Sequence, residues 1–200
     1  MTPVVYIHGH FNGCNLALAE ELSKLMPKTK IIDDNLNVEP AKAFAKTLEE
    51  YRCLRVALRR TRLQSIYKSE EASEATWVMI DQFDPEENRG SLAADYEFAA
   101  VMSHSPLISI ILKFDVELAC KRARERFTNG TASYERVKVL ENLRIKCETE
   151  EVFRFRNNYE LELDVTMMSP TEAAETVRAH IQTVKRRLQA EDRRSWIRIY

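Results

Sequence analysis

Two histidines and three aspartates stand where apolar runs of the chain end, and these residue types could carry out acid/base chemistry. Each ends or follows a short run rich in Val and Ile, the composition of a buried strand. Histidine beside a carboxylate can take up and release a proton near neutral pH. The five residues are His8, His10, Asp33, Asp34 and Asp81. We predict that they surround one crevice, in which His10 and Asp33 meet at the ends of two adjacent strands as an acid/base pair.

Each candidate also has a structural interpretation. His8 ends a strand and fits a packed, hydrogen-bonded residue, whereas His10 in the following loop is less easily explained by packing. Asp33 could equally cap the helix that follows it. The sequence therefore leaves a catalytic and a structural role open at these positions.

Five apolar runs predict the strands that must position these residues. The runs are Val4 to His8, Lys30 to Asp33, Thr76 to Asp81, Leu107 to Phe114 and Leu161 to Val165. Segments of helical period lie between them, which is the pattern of βα units. We predict an α/β three-layer sandwich with a five-stranded, mostly parallel sheet, in which ligands bind at the carboxyl ends of the strands.

Apolar residues at helical spacing predict the helices on either side of this sheet. Leu18, Leu22, Leu25 and Met26 form one predicted buried stripe, and Phe44, Leu48, Tyr51, Leu54 and Leu58 form a second after the next strand. Ser169, Pro170 and Glu172 predict the start of the last helix through a capping box. Val177, Ile181, Val184 and Leu188 are its predicted inner face.

The length of 200 residues and a formal charge of -1 indicate one soluble domain of ordinary composition. We predict a single domain over residues 1–184 and a basic helical tail over residues 185–200. Residues 128–146 are polar and are interpreted either as a lid or as a surface excursion. The near-neutral charge argues against nucleic acid as a partner, and there is no apolar run that could span a membrane. The beginning of the chain lacks signal-peptide features, so we expect a cytoplasmic protein.

Cysteine usage gives no sign of a metal site. Cys14, Cys53, Cys120 and Cys147 are widely spaced and form no CxxC pair. Reduced thiols are therefore the prediction.

The turn after the first strand carries a family resemblance. Val5-Tyr6-Ile7-His8-Gly9, followed by Leu16-Ala17-Leu18-Ala19-Glu20-Glu21-Leu22, resembles the opening of P-loop small-molecule and nucleotide kinases, in particular a family of fungal kinase-like P-loop NTPases. Ile31 to Leu36, Ile80 to Phe83, and Leu161 to Thr166 with Ser169-Pro170 resemble later segments of that family. The resemblance covers roughly residues 4 to 184 and implies a P-loop kinase fold with the first strand at the centre of the sheet.

The same resemblance implies a degenerate phosphate-binding motif. Gly9 to Asn15 aligns with GxxGxGK, so that Gly9 keeps the first glycine, Asn12 and Cys14 replace the other two, and Asn15 stands in the lysine position. The hydroxyl that would hold magnesium is also missing, because Leu16 and Ala17 follow. The lysine and the glycine backbone normally contact the phosphates. ATP and magnesium are therefore disfavoured as cofactors, and no metal site is predicted.

Other site residues follow from the resemblance alone. Arg55 and Arg59 correspond to a helix that borders the acceptor pocket, which implies an anionic substrate. Judged by spacing alone, the basic face that they share with Arg52 and Arg62 would usually be solvated. Asp81 resembles the acid on the metal side of the site. Ser133 to Arg136 does not match the family's lid motif, although Arg122 and Arg126 remain where lid arginines are expected.

These observations favour a small-molecule-binding enzyme on a degenerate P-loop kinase fold, repurposed for ATP-independent acid/base chemistry on a small metabolite. His10, Asp33 and Asp81 are its candidate catalytic residues. Candidates for substrate binding are His8, Asn12, Gly13, Asn15, Asp34, Arg55, Arg59, Arg122 and Arg126. The alternatives are an ATP-dependent phosphotransferase that lacks the P-loop lysine and a noncatalytic binding protein derived from a kinase.

Overall fold

The computed structural model describes residues 2–9, 12–33, 35–69, 74–80, 89–130, 142, 144–145, 147 and 152–197. Within these ranges, the side chains of residues 12–14, 35, 89–90, 122–123, 126–127 and 192–197 are not described. His10, Asp34, Asp81 and most of the predicted lid at residues 128–146 lie outside the described residues.

Five strands form one sheet in which every described pairing is parallel. The strands are β1 (Val4–Gly9), β2 (Thr29–Asp33), β3 (Thr76–Ile80), β4 (Leu107–Lys113) and β5 (Leu161–Asp164). Their order is β2-β3-β1-β4-β5, which places β1 at the centre. The predicted parallel sheet and its central first strand are confirmed.

Helices cover both faces of the sheet and complete three layers. They are α1 (Asn12–Leu25), α2 (Asn35–Phe44), α3 (Leu48–Tyr67), α4 (Arg89–Met102), α5 (Val116–Thr128) and α6 (Pro170–Ile197). Leu18 and Leu22 of α1 pack with Val177 and Ile181 of α6 on one face. On the other face α3 and α4 supply Leu63, Ile66, Leu92 and Tyr96. The α/β three-layer architecture is thus confirmed.

Successive side chains of β1 enter the two cores in turn, as the two-residue period of a strand requires. Val5 and Ile7 lie in the core under α1 and α6. Val4 and Tyr6 lie in the core under α3 and α4. Because both faces are covered, β1 is apolar along nearly its whole length.

The last helix begins where its capping signal predicts. The backbone N–H of Glu172 donates to Ser169 Oγ at 3.2 Å, and the backbone N–H of Ser169 donates to Glu172 Oε2 at 2.8 Å. Pro170 is the first helical residue. The same helix continues past residue 184 to Ile197, so the basic tail is an extension of α6 as far as the structure describes it.

The predicted buried stripe after β2 is wrong. Two helices, α2 and α3, replace the single one, and Phe44 and Leu48 at their junction are 77% and 59% exposed. The break has a local cause, because Thr47 caps α3 and exchanges capping-box hydrogen bonds with Glu50. The fully buried face of α3 instead carries Arg55, Arg59, Leu63 and Ile66.

Across the part of the chain that the structure describes, no helix is both long enough and apolar enough to cross a membrane.

Candidate functional site

The candidate site lies along the edge where the parallel strands end. Gly9, Asp33, Ile80 and Lys113 are the last residues of β1, β2, β3 and β4. β3 separates β1 from β2 in the sheet. The expectation that His10 and Asp33 follow adjacent strands is therefore wrong. Since neighbouring strands lie about 4.8 Å apart, the ends of β1 and β2 are separated by about 10 Å.

His8 is enclosed near the end of β1. Its side chain has no exposed surface, and its Nε2 lies 3.0 Å from Ser109 Oγ of β4. The centroid of the ring also lies 4.8 Å from that of Tyr6, in a tilted arrangement, and 6.0 Å from that of Phe155, in an edge-to-face arrangement. Burial lowers the pKa of His8 to about 3, so the imidazole is neutral at physiological pH. These surroundings match the packed, hydrogen-bonded interpretation of His8.

Gly9 allows β1 and β4 to approach closely at the same edge. A Cβ atom on Gly9 would lie 2.5 Å from the backbone carbonyl oxygen of Leu112, the residue opposite it in the parallel register. Carbon and oxygen cannot come this close without moving a strand. A side chain at this position would therefore disturb the start of the loop that leads to α1.

The first turn of α1 holds the residues aligned with the phosphate-binding motif. The helix begins at Asn12, and Gly13 continues it. Backbone N–H groups at a helix start attract anions. Asn15, the residue aligned with the P-loop lysine, is fully buried and carries no charge.

The end of β2 is tied to α3. Arg62 donates from Nη1 to the backbone carbonyl oxygen of Asp33 at 3.1 Å. This bond holds the backbone of Asp33 against α3 at the carboxyl edge of the sheet.

The basic face of α3 is partly buried. Arg55 is 4% exposed and Arg59 has no exposed surface, so the solvated interpretation is wrong for these two residues. Arg59 Nη2 lies 3.3 Å from Asp95 Oδ2 of α4, and Arg60 Nε lies 2.9 Å from Asp95 Oδ1. Asp95 thus joins two arginines of α3 to α4.

The loop after β5 is held to the end of β4. Thr166 accepts a hydrogen bond on Oγ1 from the backbone N–H of Asp115 at 2.7 Å, and its own N–H donates to Asp164 Oδ1 at 2.9 Å. Hydrogen bonds from Thr166 hold the pKa of Asp164 below its ordinary value. Nearby, Arg154 and Lys113 both pair with Glu162 and lower the pKa of that carboxyl to about 2.

Comparison with known proteins identifies the fold. A gluconokinase from Sinorhizobium meliloti superposes with a TM-score of 0.59 at 11% identity, covering 94% of this chain and 97% of the other. A thymidylate kinase from Candida albicans gives a TM-score of 0.55 at 14% identity, with 92% of both chains covered. The chain has a P-loop-kinase-like fold. No family model matches the sequence, and neither does any curated protein.

A third solved structure extends the likeness within the P-loop-kinase-like fold. A putative kinase from Chloroflexus aurantiacus superposes with a TM-score of 0.57 at 14% identity, covering 90% of this chain and 99% of the other. The likeness spans the whole sheet and its flanking helices rather than one βα unit.

Some predicted residues of the P-loop-kinase-like fold are placed only by their backbone. Arg122 and Arg126 lie on α5, whose side chains at these positions are not described. The described residues hold no group of three His, Cys, Asp or Glu side chains arranged to bind a metal ion.

Asp95 is the site residue that sequence reasoning missed. It lies on α4 among Leu92, Tyr96 and Ala99, all of them buried. A carboxylate within such an apolar stripe predicts a buried basic partner, because a charge is rarely buried without one. That signal, read together with the arginines of α3, could have found the pair.

Proposed function

We propose that the chain is a small-molecule enzyme that works without ATP in the crevice at the carboxyl edge of its P-loop-kinase-like sheet. The observation that carries this proposal is the fully buried, uncharged Asn15 in the first turn of α1. Phosphoryl transfer from ATP depends on cationic groups that offset charge on the outer phosphates. The residues at this helix start do not fit those phosphates, so we derive no step through ATP.

The strand order supports a modified acid/base pair. His10 follows β1, and Asp81 follows β3, the neighbouring strand, whereas Asp33 ends the strand beyond it. We therefore assign proton transfer to His10 with Asp81. Asp33 and Asp34 then contact the substrate from the far side of the crevice.

The buried arginines support an anionic substrate. Arg55 and Arg59 lie on the turns of α3 that precede Arg62, whose side chain reaches the end of β2. Asp95 offsets part of the charge of Arg59 and holds its side chain in place. Guanidinium groups held in this way suit carboxylate or phosphate groups, which they bind through paired hydrogen bonds.

Calorimetric titration with Mg-ATP tests the nucleotide half of the proposal. We expect no binding, or binding much weaker than micromolar, for the wild-type chain. Asn15→Asp is the matched variant, because it would further disfavour an anion and should leave the result unchanged. A dissociation constant in the low micromolar range for the wild type would contradict the proposal.

Native mass spectrometry of the protein purified from its own cells tests the substrate half. We expect a retained small anionic molecule. With that molecule as substrate, His10→Ala and Asp81→Asn should each lower turnover by about 10²-fold, the usual size of a lost general acid or base. His104→Asn, at an exposed residue after α4 whose φ of 49° suits Asn, is the control. Full turnover by His10→Ala would remove the acid/base assignment.

An ATP-dependent phosphotransferase without the P-loop lysine is the second candidate. It is favoured by the near-complete coverage of solved kinases by this chain. ATP-dependent formation of a phosphorylated product from the retained molecule would select this function. A retained molecule that is never converted would instead favour a noncatalytic binding protein.

A further inference from the structure

Two cysteines distant in sequence touch each other beside α5. Cys120 lies on α5 and is 1% exposed. It is the buried centre of a small apolar cluster against which Phe114, Val116 and Ala119 pack. Cys147, a helical residue further along the chain, packs against the same centre and is only half-buried.

An ion pair aligns the same two segments. Arg144 Nη1 lies 3.5 Å from Glu117 Oε1. Glu117 precedes Cys120 by three residues, and Arg144 precedes Cys147 by three residues. Residues three apart share one face of a helix. The Glu117–Arg144 ion pair and the Cys120–Cys147 contact therefore lie along one shared face of the two segments. We call this face the docking surface.

The geometry points to Cys120 and Cys147 as an oxidisable pair that forms a reversible intrachain disulfide. Both are thiols in this structure. A disulfide requires Cβ atoms about 3.8 Å apart, so two side chains already in contact need little movement to join. The ion pair between Glu117 and Arg144 also keeps the two segments aligned, so that Cys120 and Cys147 stay opposite each other. The chain between the two residues would then be closed into a loop.

Burial assigns the order of the chemical steps. Half-buried Cys147 meets a small disulfide such as oxidised glutathione first. Its thiolate attacks one sulfur, releases one glutathione thiolate, and forms a mixed disulfide. Cys120, as its thiolate, then attacks the Cys147 sulfur and displaces the second glutathione. The two protein thiols lose two protons and two electrons, and one glutathione disulfide becomes two thiols.

Cys53 provides an internal comparison. It is exposed on α3, and no other described cysteine shares its surroundings. The same oxidant should leave it as a mixed disulfide with glutathione or unmodified. If exposure alone decided the product, Cys147 would also end as a mixed disulfide with glutathione or unmodified. We expect it instead to form a disulfide with Cys120.

Peptide mapping after treatment with oxidised glutathione tests the inference on the full chain. Remaining thiols are blocked by alkylation before digestion. We expect the dominant cross-linked peptide to join Cys120 to Cys147 and to disappear on reduction with dithiothreitol. In Cys120→Ser, Cys147 should retain glutathione, and in Cys147→Ser, Cys120 should stay unmodified. Cys53→Ser should leave the cross-link unchanged.

A charge reversal tests the docking surface without touching either thiol. Glu117→Lys places like charges where Arg144 now pairs, and we expect it to slow cross-linking about two- to fivefold, in line with the strength of an exposed ion pair. Glu125→Lys, at an exposed position of the same helix, is the matched control and should not slow it.

The wild-type mapping can overturn the inference without any variant. A native, folded chain in which Cys53 carries glutathione while Cys120 and Cys147 are recovered as alkylated thiols would contradict it. So would a cross-link that joins Cys147 to any other cysteine. Equal cross-linking rates for Glu117→Lys and Glu125→Lys would remove the docking argument.

Discussion

At the scale of single residues, Gly9 shows how one missing side chain shapes the carboxyl edge of the sheet. The carbonyl oxygen of Leu112 occupies the space that a Cβ atom would need. We expect Gly9→Ala to lower the free energy of unfolding by about 1–3 kcal/mol, the usual cost of overpacking a well-packed site. Urea unfolding measures this change.

Gly130 provides the control for that substitution. Nothing lies within 4 Å of a Cβ atom placed there, although its φ is +70°. Asn tolerates this left-handed conformation, so Gly130→Asn should change the free energy of unfolding by less than about 0.5 kcal/mol. Equal losses in Gly9→Ala and Gly130→Asn would show that the close approach of β4 is not the cause.

His8 makes stability depend on pH. Burial holds its pKa at about 3 in the folded chain, against an ordinary value of 6.5. Between these values the unfolded chain binds a proton that the folded chain does not, so stability falls as pH falls through this window. The contribution of His8 is complete above pH 6.5 and declines by about 1.4 kcal/mol per pH unit below it.

Comparison of wild type with His8→Asn isolates that dependence. Free energies of unfolding at pH 7 and pH 5 should differ by about 2 kcal/mol more in the wild type than in the variant. His104→Asn, at an exposed residue whose φ of 49° suits Asn, should behave as the wild type does. Parallel pH profiles for wild type and His8→Asn would contradict a neutral, buried imidazole.

The surroundings of some residues could be predicted from the sequence, and those of others could not. The packed interpretation of His8 followed from its place at the end of an apolar run, because such a run is covered on both faces. The burial of Arg59 could not be foreseen from α3 alone, since it depends on Asp95 of another helix. The signal for this pair lies in α4, where a carboxylate interrupts an apolar stripe, and not in the periodicity of α3.

At the scale of elements, Asp95 of α4 holds α3 in place through ion pairs with Arg59 and Arg60. Its removal leaves the guanidinium of Arg59, which has no exposed surface, without that carboxylate. We expect Asp95→Ala to lower the free energy of unfolding by about 3 kcal/mol, the range seen when one member of a buried ion pair is lost. Chemical denaturation followed by circular dichroism measures it.

Arg60→Ala separates the buried pair from the exposed one. Arg60 also contacts Asp95, but its side chain is 56% exposed. An exposed ion pair contributes less than about 1 kcal/mol. Similar losses in Asp95→Ala and Arg60→Ala would mean that the pair with Arg59 does not hold the two helices together.

The break between α2 and α3 could not be seen in the spacing of the apolar residues. A run of apolar residues at helical spacing crosses it, and this run predicted one buried stripe. The sequence also carried the opposing signal, since Thr47 and Glu50 have the spacing of a capping box. The five strands were easier to predict, because short β-branched runs between helical segments leave few alternative arrangements.

At the scale of the whole molecule, residues from both ends of the chain share one core. Ile181 of α6 is fully buried with Leu18 and Leu22 of α1. Ile181→Ala should lower the free energy of unfolding by about 2–5 kcal/mol through the cavity that it leaves. Gln182→Ala, exposed on the same helix, should cost less than about 0.5 kcal/mol. Thermal unfolding of both variants checks this, and similar melting temperatures would contradict it.

The fold could be predicted from sequence as a whole, whereas the candidate site could be predicted only in part. The family resemblance predicted that β1 lies at the centre of the sheet. The observed strand order also separates β1 from β2, so the prediction that His10 and Asp33 follow adjacent strands was wrong. Residues that end strands can be recognised from local patterns, but the distance between them depends on how the strands are arranged.

The central position of β1 also constrains how this protein can fold while it is being synthesised. β1 is synthesised before its partners β3 and β4, which end at Ile80 and Lys113. The apolar face shared with α1 stays uncovered until α6 emerges, nearly the whole chain later. Contacts so distant in sequence form slowly, and exposed apolar surface promotes aggregation meanwhile. The nascent chain therefore keeps this apolar surface exposed until α6 has been synthesised.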